Sequence, residues 1–256
     1  MSDFDRNDAT LRGVGTDRAV AYDMGLRAHM IRVYNYMASG VALTGVAAWL
    51  TYQMAGGDAI RVTGNTVVGL TPIGQALFHG PLLWVLLLAP LGLVFFLSFR
   101  IQRMEASTAR LLFFVYAGLL GVSLASIFVV YTQASLTQVF LVSAASFGAL
   151  SLYGYTTQRN LNAMGSFLIM GLFGLIIASL VNIFLQSGGL SWALSVIGVL
   201  IFAGLTAWDT QKIKEMYDVQ DDGTVAGRKA VMGALSLYLD FINMFLFMLR
   251  LFGDRR

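Results

Sequence analysis

Residues 231–252 read VMGALSLYLDFINMFLFMLRLF. At ~1.5 Å per residue this stretch can cross the ~30 Å hydrocarbon core of a bilayer as one helix. Its one acidic residue, Asp240, falls near the middle. An ionised carboxyl at that depth costs roughly 2.5–3.5 kcal/mol on insertion scales. It is tolerated where it faces a bundle interior, finds a partner or keeps its proton. Ser236 lies four residues before Asp240 and Asn243 three after it, so all three share one helix face. Leu237, Leu239, Phe241 and Ile242 project mostly elsewhere. A narrow polar stripe on an apolar helix marks a helix enclosed by others. Asp240 is the leading candidate for a functional residue; the plainer reading is a hydrogen-bonded buried carboxyl that fixes helix packing.

The rest of the chain repeats the apolar pattern. Segments 33–54, 81–99, 111–131, 136–156, 164–185 and 190–208 are each near the ~20 residues that a spanning helix needs. Pro90 predicts a kink in the second. Of the 256 residues, 57% are hydrophobic and 12% charged, the charged share being about half that of a soluble domain. Mean hydropathy is +0.71. A soluble fold of this size could not hide so much apolar surface, whereas lipid solvates it. The expected fold class is all-α, a polytopic membrane protein with seven transmembrane helices over residues 28–253. A polar, flexible tail is expected at 1–27. That tail holds Asp3, Asp5, Asp8, Asp17 and Asp23 and no apolar core, which argues against a signal peptide or a mitochondrial presequence.

Two connections, 132–135 and 186–189, are short enough to force antiparallel hairpins. Two are long: 55–80, rich in Gly and Thr, and 209–230, rich in charge. Basic residues concentrate on one side of the expected bundle: Arg6, Arg12, Arg18, Arg27 and Arg32, then Arg100, Arg103, Arg110 and Arg159, then Lys212, Lys214, Arg228 and Lys229. The opposite loops hold Arg61. The positive-inside bias puts the N-terminus in the cytoplasm. An odd number of spans then places Arg250, Arg255 and Arg256 outside, against that bias; full crossing of the last segment is the preferred reading. Small residues four apart (Gly121 and Ala125, Ala144 and Gly148, Ala203 and Ala207) predict close helix packing.

Asp209 closes the sixth segment near the boundary, where it is either functional or a surface acid paired with Lys212 one turn on. Arg100 and Arg103 follow the second segment as boundary anchors or as partners for an interior carboxylate. His29 and His79 are too few and too far apart for a histidine metal site, and the chain has no cysteine. No basic stripe with interleaved aromatics suggests nucleic acid. No nucleophile–base set, metal motif or phosphate loop suggests an enzyme.

The stretch 206–214, TAWDTQKIK, and the stretch 234–245, ALSLYLDFINMF, resemble the signatures of the last two spans of the Bax inhibitor family. Together and in this order they are quite specific, and the resemblance extends over about 27–252. It implies six helices around a central seventh and a pH-sensitive calcium leak in a bacterial inner membrane. It implies that Asp209 and Asp240 form a hydrogen-bonded pair, which would also be the calcium site. It implies a basic latch on the closed state, Arg100 or Arg103. Some bacterial members associate with a membrane-bound ATP-dependent protease, which makes a protease or stress-complex modulator the second function to weigh. A proton-coupled transporter is the third, disfavoured because the segment lengths show no inverted repeat. The segment 216–228 reads as a long loop carrying Asp218, Asp221 and Asp222, either linker or partner-binding surface.

Two touching carboxyls cannot both ionise cheaply, so they titrate as a unit. Sharing one proton, they tie two helices together; losing it, they repel or recruit a cation such as calcium, which seeks oxygen. One geometric obstacle stands. With helices starting at the apolar boundaries, Asp209 lies near the interface and Asp240 ~14 Å inside. The two meet only if the last helix starts lower, the sixth tilts or a water crevice enters.

Overall fold

The computed structural model describes residues 3–63, 66–80 and 82–255; the side chains of 3–21, 61–63, 66 and 79 lie outside that description. The helices are α1 (Asp3–Ala55), α2 (Pro72–His79), α3 (Leu82–Arg100), α4 (Ala106–Leu124), α5 (Ser126–Val130), α6 (Gln133–Thr156), α7 (Asn162–Leu185), α8 (Gly188–Glu215) and α9 (Gly223–Phe252). Strands β1 (Arg61–Thr63) and β2 (Thr66–Val68) form an antiparallel ribbon between α1 and α2, with Arg61 opposite Val68 and Thr63 opposite Thr66. The expected short hairpin connections are both present. Thr132 caps α6 by accepting from the Ser135 amide, and Ser187 caps α8 by accepting from the Leu190 amide. Pro90 sits inside α3 without ending it.

Among the described residues, six helices are long and apolar enough to cross a membrane: α3, α4 continued through α5, α6, α7, α8 and α9. The segment 33–54 is part of α1, but its Asn35, Ser39, Thr44, Thr51 and Gln53 dilute its hydropathy, and α1 is not one of the six. Part of that polarity faces inward. Thr44 donates to the Gly40 and Ala117 carbonyls, each at 2.9 Å, and lies 2.6 Å from the Tyr238 hydroxyl. The expected tail at 1–27 is helical in its backbone from Asp3 onward; the acidic side chains Asp3, Asp5, Asp8 and Asp17, and the basic ones Arg6, Arg12 and Arg18, lie outside the described residues.

Helix α9 is the most enclosed. Most of α9 is buried whereas most of α7 is not, which makes α9 an inner helix and α7 a peripheral one. Its main neighbours are α8, α1, α6 and α4, while α3 packs on α4 and α7 on α8. The core on α9 is aromatic: Tyr238 meets Phe113 and Tyr116 edge-on, and Phe241 meets Phe140 and Phe147. Its far end carries the C-terminal tail to the α5–α6 turn, where the Asp254 amide donates to Ser135 and the Thr132 amide to the Asp254 carbonyl.

Lipid offers no hydrophobic reward for joining two apolar helices, so close backbone contact must hold them. Gly121 lies against Thr44 and Ala47, and Gly154 against the Ala207 carbonyl, so closely that a side-chain carbon at either would overlap backbone. Ala207 and Ala125 are buried as their small size predicted, but Gly148 faces open space, so Ala144 and Gly148 make no such seam.

The segment 216–228 is not the long loop expected. Helix α9 begins at Gly223, because Asp222 caps it through bonds from the Thr224 and Val225 amides. Asp221 pairs with Lys229 at 2.5 Å, and Asp218 accepts from the Gln220 amide. All three acids thus make local bonds. Tyr217 seats the short connection against α1, where its ring lies 5.7 Å from that of His29. His29 is buried with Nε2 unpartnered. Burial, then Arg32 and Lys229, hold its pKa below the ordinary value, with Asp221 opposing them weakly.

Two outcomes test this packing. Gly154→Ala should lower stability by about 1–3 kcal/mol, since a backbone carbonyl cannot yield. Gly148→Ala should leave it unchanged or raise it, as alanine is the better helix former. Unfolding midpoints in detergent compare the two. The lowered His29 pKa means that the unfolded chain takes up the proton first as pH falls. Stability from this site is full above about pH 6.5 and declines below it. His29→Gln should flatten the acid limb of the midpoint-versus-pH curve; an unaltered limb assigns acid sensitivity to another group.

Candidate functional site

Both helices that carry the acids extend past their apolar stretches. Helix α8 continues from Trp208 to Glu215 because its polar residues find protein partners rather than water. Gln211 donates to the Arg159 carbonyl and accepts from the Leu161 amide, each at 2.8 Å, and Lys214 donates to the Tyr155 carbonyl at 2.9 Å. Helix α9 in turn starts eight residues before the apolar boundary at Val231. Two contacts set the register between them: Gly233 packs against Ile213, and Gly198 against the Phe247 ring. Counting from either contact places Asp240 only about 5 Å above Asp209 along the helix axes, roughly one turn, rather than ~14 Å. The obstacle raised by the sequence is removed because the last helix does start lower.

The two carboxyls accordingly face one crevice at nearly the same depth. A bond between two carboxyls requires a proton on one of them. Asp240 is buried, and its Oδ2 has no partner among the described residues, leaving an orphaned acceptor beside the pair. Asp209 is half-buried.

Both acids line a crevice of about 670 Å³ between α7, α8 and α9. Ser236 and Asn243 line it too, so the polar stripe predicted on α9 is a real surface facing one cavity. Asn243 also donates to the Leu239 carbonyl at 2.8 Å. Apolar walls come from Leu172, Leu175 and Ile176 of α7 and from Phe202 and Leu205 of α8. The basic residues in this crevice are Lys212 and Arg250. Lys212 is not ion-paired with Asp209; its Nζ lies over the Trp208 ring, 4.8 Å from the centroid.

Arg100 and Arg103 are not brought to the acids. Both are exposed at the end of α3, which packs on α4 rather than on α8. His79 ends α2, and its side chain lies outside the described residues. No group of three or more metal-ligating side chains occurs among the described residues. Two carboxyls, a hydroxyl and an amide in one crevice suit a transient, partly hydrated cation better than a resident one. Sequence reasoning missed the chain from Tyr34 to Ser151 (2.6 Å) to Thr210 (2.9 Å), which joins α1, α6 and α8 beside Asp209. Each residue reads as an ordinary membrane-helix polar group, and their meeting depends on three helices far apart in sequence.

Six long apolar helices among the described residues and an interior polar site define an integral, multi-pass, α-helical membrane protein. Residues 26–256 match the family model described as inhibitor of apoptosis-promoting Bax1, and the chain belongs to this Bax inhibitor family. It is 45% identical over 241 residues to the Rickettsia prowazekii protein RP147, covering 94% of this chain and 95% of that one. It is 43% identical over 243 residues to the Escherichia coli inner membrane protein YbhL, covering 94% and 97%. A Caulobacter vibrioides protein is 41% identical across the whole of both chains.

If the crevice is wet, thiols placed on its wall will ionise and react. The chain has no native cysteine, so each introduced one is unique. Ser236→Cys should react with a small water-soluble thiol reagent much faster than Leu237→Cys, whose position is fully buried. Equal rates would mean that the crevice excludes water.

Proposed function

We propose that this protein is a pH-sensitive, calcium-permeable leak channel gated by Asp209 and Asp240. The carrying observation is that both carboxyls line one crevice at nearly the same depth, with an oxygen of Asp240 buried there without a hydrogen-bond partner. With one shared proton the pair ties α8 to α9 and the path is shut. Loss of that proton leaves two negative charges in a low-dielectric crevice, where repulsion parts the helices or a cation enters between them. A hard, oxygen-seeking divalent cation fits that charge, with Ser236, Asn243 and water completing its shell. Lys212, rather than Arg100 or Arg103, is the counter-charge nearest the acids in this arrangement; an arginine latch from α3 would require α3 to move.

The same reading takes 33–54 as a seventh span, crossed inward to outward from a cytoplasmic N-terminus, with α9 as the central helix. Inward-facing Thr44 supports it, because a polar side chain satisfied inside the bundle does not count against insertion. The relative named as an inner membrane protein supports a bacterial cytoplasmic membrane.

Purified protein in calcium-loaded liposomes tests the gate. Flux should rise as pH rises through the titration of the pair and fall on acidification. Asp240→Asn should flatten the response several-fold, because an amide cannot lose the proton that shuts the path, and Asp209→Asn should do the same. A pH profile unchanged in both variants, or wild-type flux no greater than that of empty liposomes, defeats the reading.

A further inference from the structure

The acid pair leaves one group of charges without a role. Arg250 and Arg255 stand at the end of the bundle opposite the basic connections, against the charge bias of the rest of the chain. They line a second cavity, of about 660 Å³, between the α7–α8 turn, the end of α9 and the C-terminal tail. The tail is held in place. The Asp254 amide bonds to Ser135 at 2.9 Å, the Thr132 amide bonds to the Asp254 carbonyl at 3.0 Å, and the Arg255 guanidinium lies 5.9 Å from the Tyr131 ring centre. Arg250 lies against Phe247, 5.3 Å from its ring centre. Neither arginine has a carboxylate partner within ion-pair distance among the described residues. Asn182 and Ser191 supply polar groups to the same wall, bonded to each other at 2.7 Å.

Two positioned guanidinium groups that form no ion pair among the described residues, converging on one polar cavity, suit an oxyanion. The planar donor fork of arginine matches the oxygens of a phosphate. The rim points to where that phosphate comes from. Ile183 and Trp192 line the cavity and are each 65% exposed, and Phe184 beside them is 86% exposed. Such a surface is covered by acyl chains in a bilayer, and tryptophan favours the headgroup level. We propose that this cavity binds the phosphate of an anionic lipid in the leaflet at that end of the bundle, with Arg250 and Arg255 on the headgroup and Ile183 and Trp192 against its chains. Lipid capture of this kind requires no ion conduction.

The full-length protein, reconstituted in nanodiscs of equal phosphatidylglycerol and phosphatidylcholine and then released for native mass spectrometry, provides the test. Phosphatidylglycerol should be retained preferentially. Arg250→Gln and Arg255→Gln should each weaken its retention about fivefold, as one basic group near an anionic surface does. An unchanged unfolding midpoint for Arg255→Gln would assign that loss to the headgroup contact. Equal retention of the two lipids, or undiminished retention in both variants, overturns the proposal. Inorganic phosphate should fail to displace the lipid; displacement would make this a site for a free anion and overturn the lipid assignment.

Discussion

A carboxyl in the middle of an apolar helix is the constraint from which this architecture follows. Asp240 cannot face hydrocarbon without a cost of several kcal/mol, so α9 must be wrapped by other helices and must bring a polar partner to that depth. The wrapping is visible in the burial of α9 against α1, α4, α6 and α8. The acid that shares its crevice is Asp209, carried by the neighbouring α8. Neither residue would be placed there by apolar packing alone. The register that unites them is set by two glycines, Gly233 and Gly198, which let Ile213 and Phe247 seat against the opposing helix.

Other interior polar groups obey the same rule. In lipid backbone polar groups must be satisfied within the protein, and buried side chains that bond there avoid the same cost. Thr44, Tyr238 and the Ala117 carbonyl form one such set, and Tyr34, Ser151 and Thr210 another. Each joins helices distant in sequence, so each specifies which helices are neighbours as well as stabilising their contact. The charged end of the bundle uses longer side chains for the same purpose. Arg228 reaches the Gln102 and Met104 carbonyls and Lys214 the Tyr155 carbonyl, while Lys229 holds the nearby Asp221 carboxylate.

The acid pair is framed by cations. Lys212 lies on one side of it, and Arg250 stands where the central crevice meets the cavity at the far end, since both cavities include that residue. The two cavities thus share one side chain, Arg250.

Much of this was legible in the chain itself. Runs of ~20 apolar residues dictate spanning helices because lipid leaves backbone groups no other partner, and the helices from α3 to α9 fall where those runs lie. The spacing of Ser236, Asp240 and Asn243 dictated a single polar face, because a helix repeats every 3.6 residues. Helix ends were not legible. Hydropathy ended the sixth segment at Trp208 and began the seventh at Val231, because it scores Gln211, Lys214, Arg228 and Lys229 as if they met water. The fold satisfies them with carbonyls and a carboxylate instead, so both helices run on. That extension brings Asp209 and Asp240 to within a turn of each other. It also leaves Arg100 and Arg103 far from them on α3, since which helices adjoin is decided by interhelical contact rather than by order along the chain. Composition and periodicity determined that this chain enters a membrane with an acid inside it. Only the three-dimensional packing decided which second acid it meets, because that depends on the relative depth of two helices, a quantity local sequence does not encode.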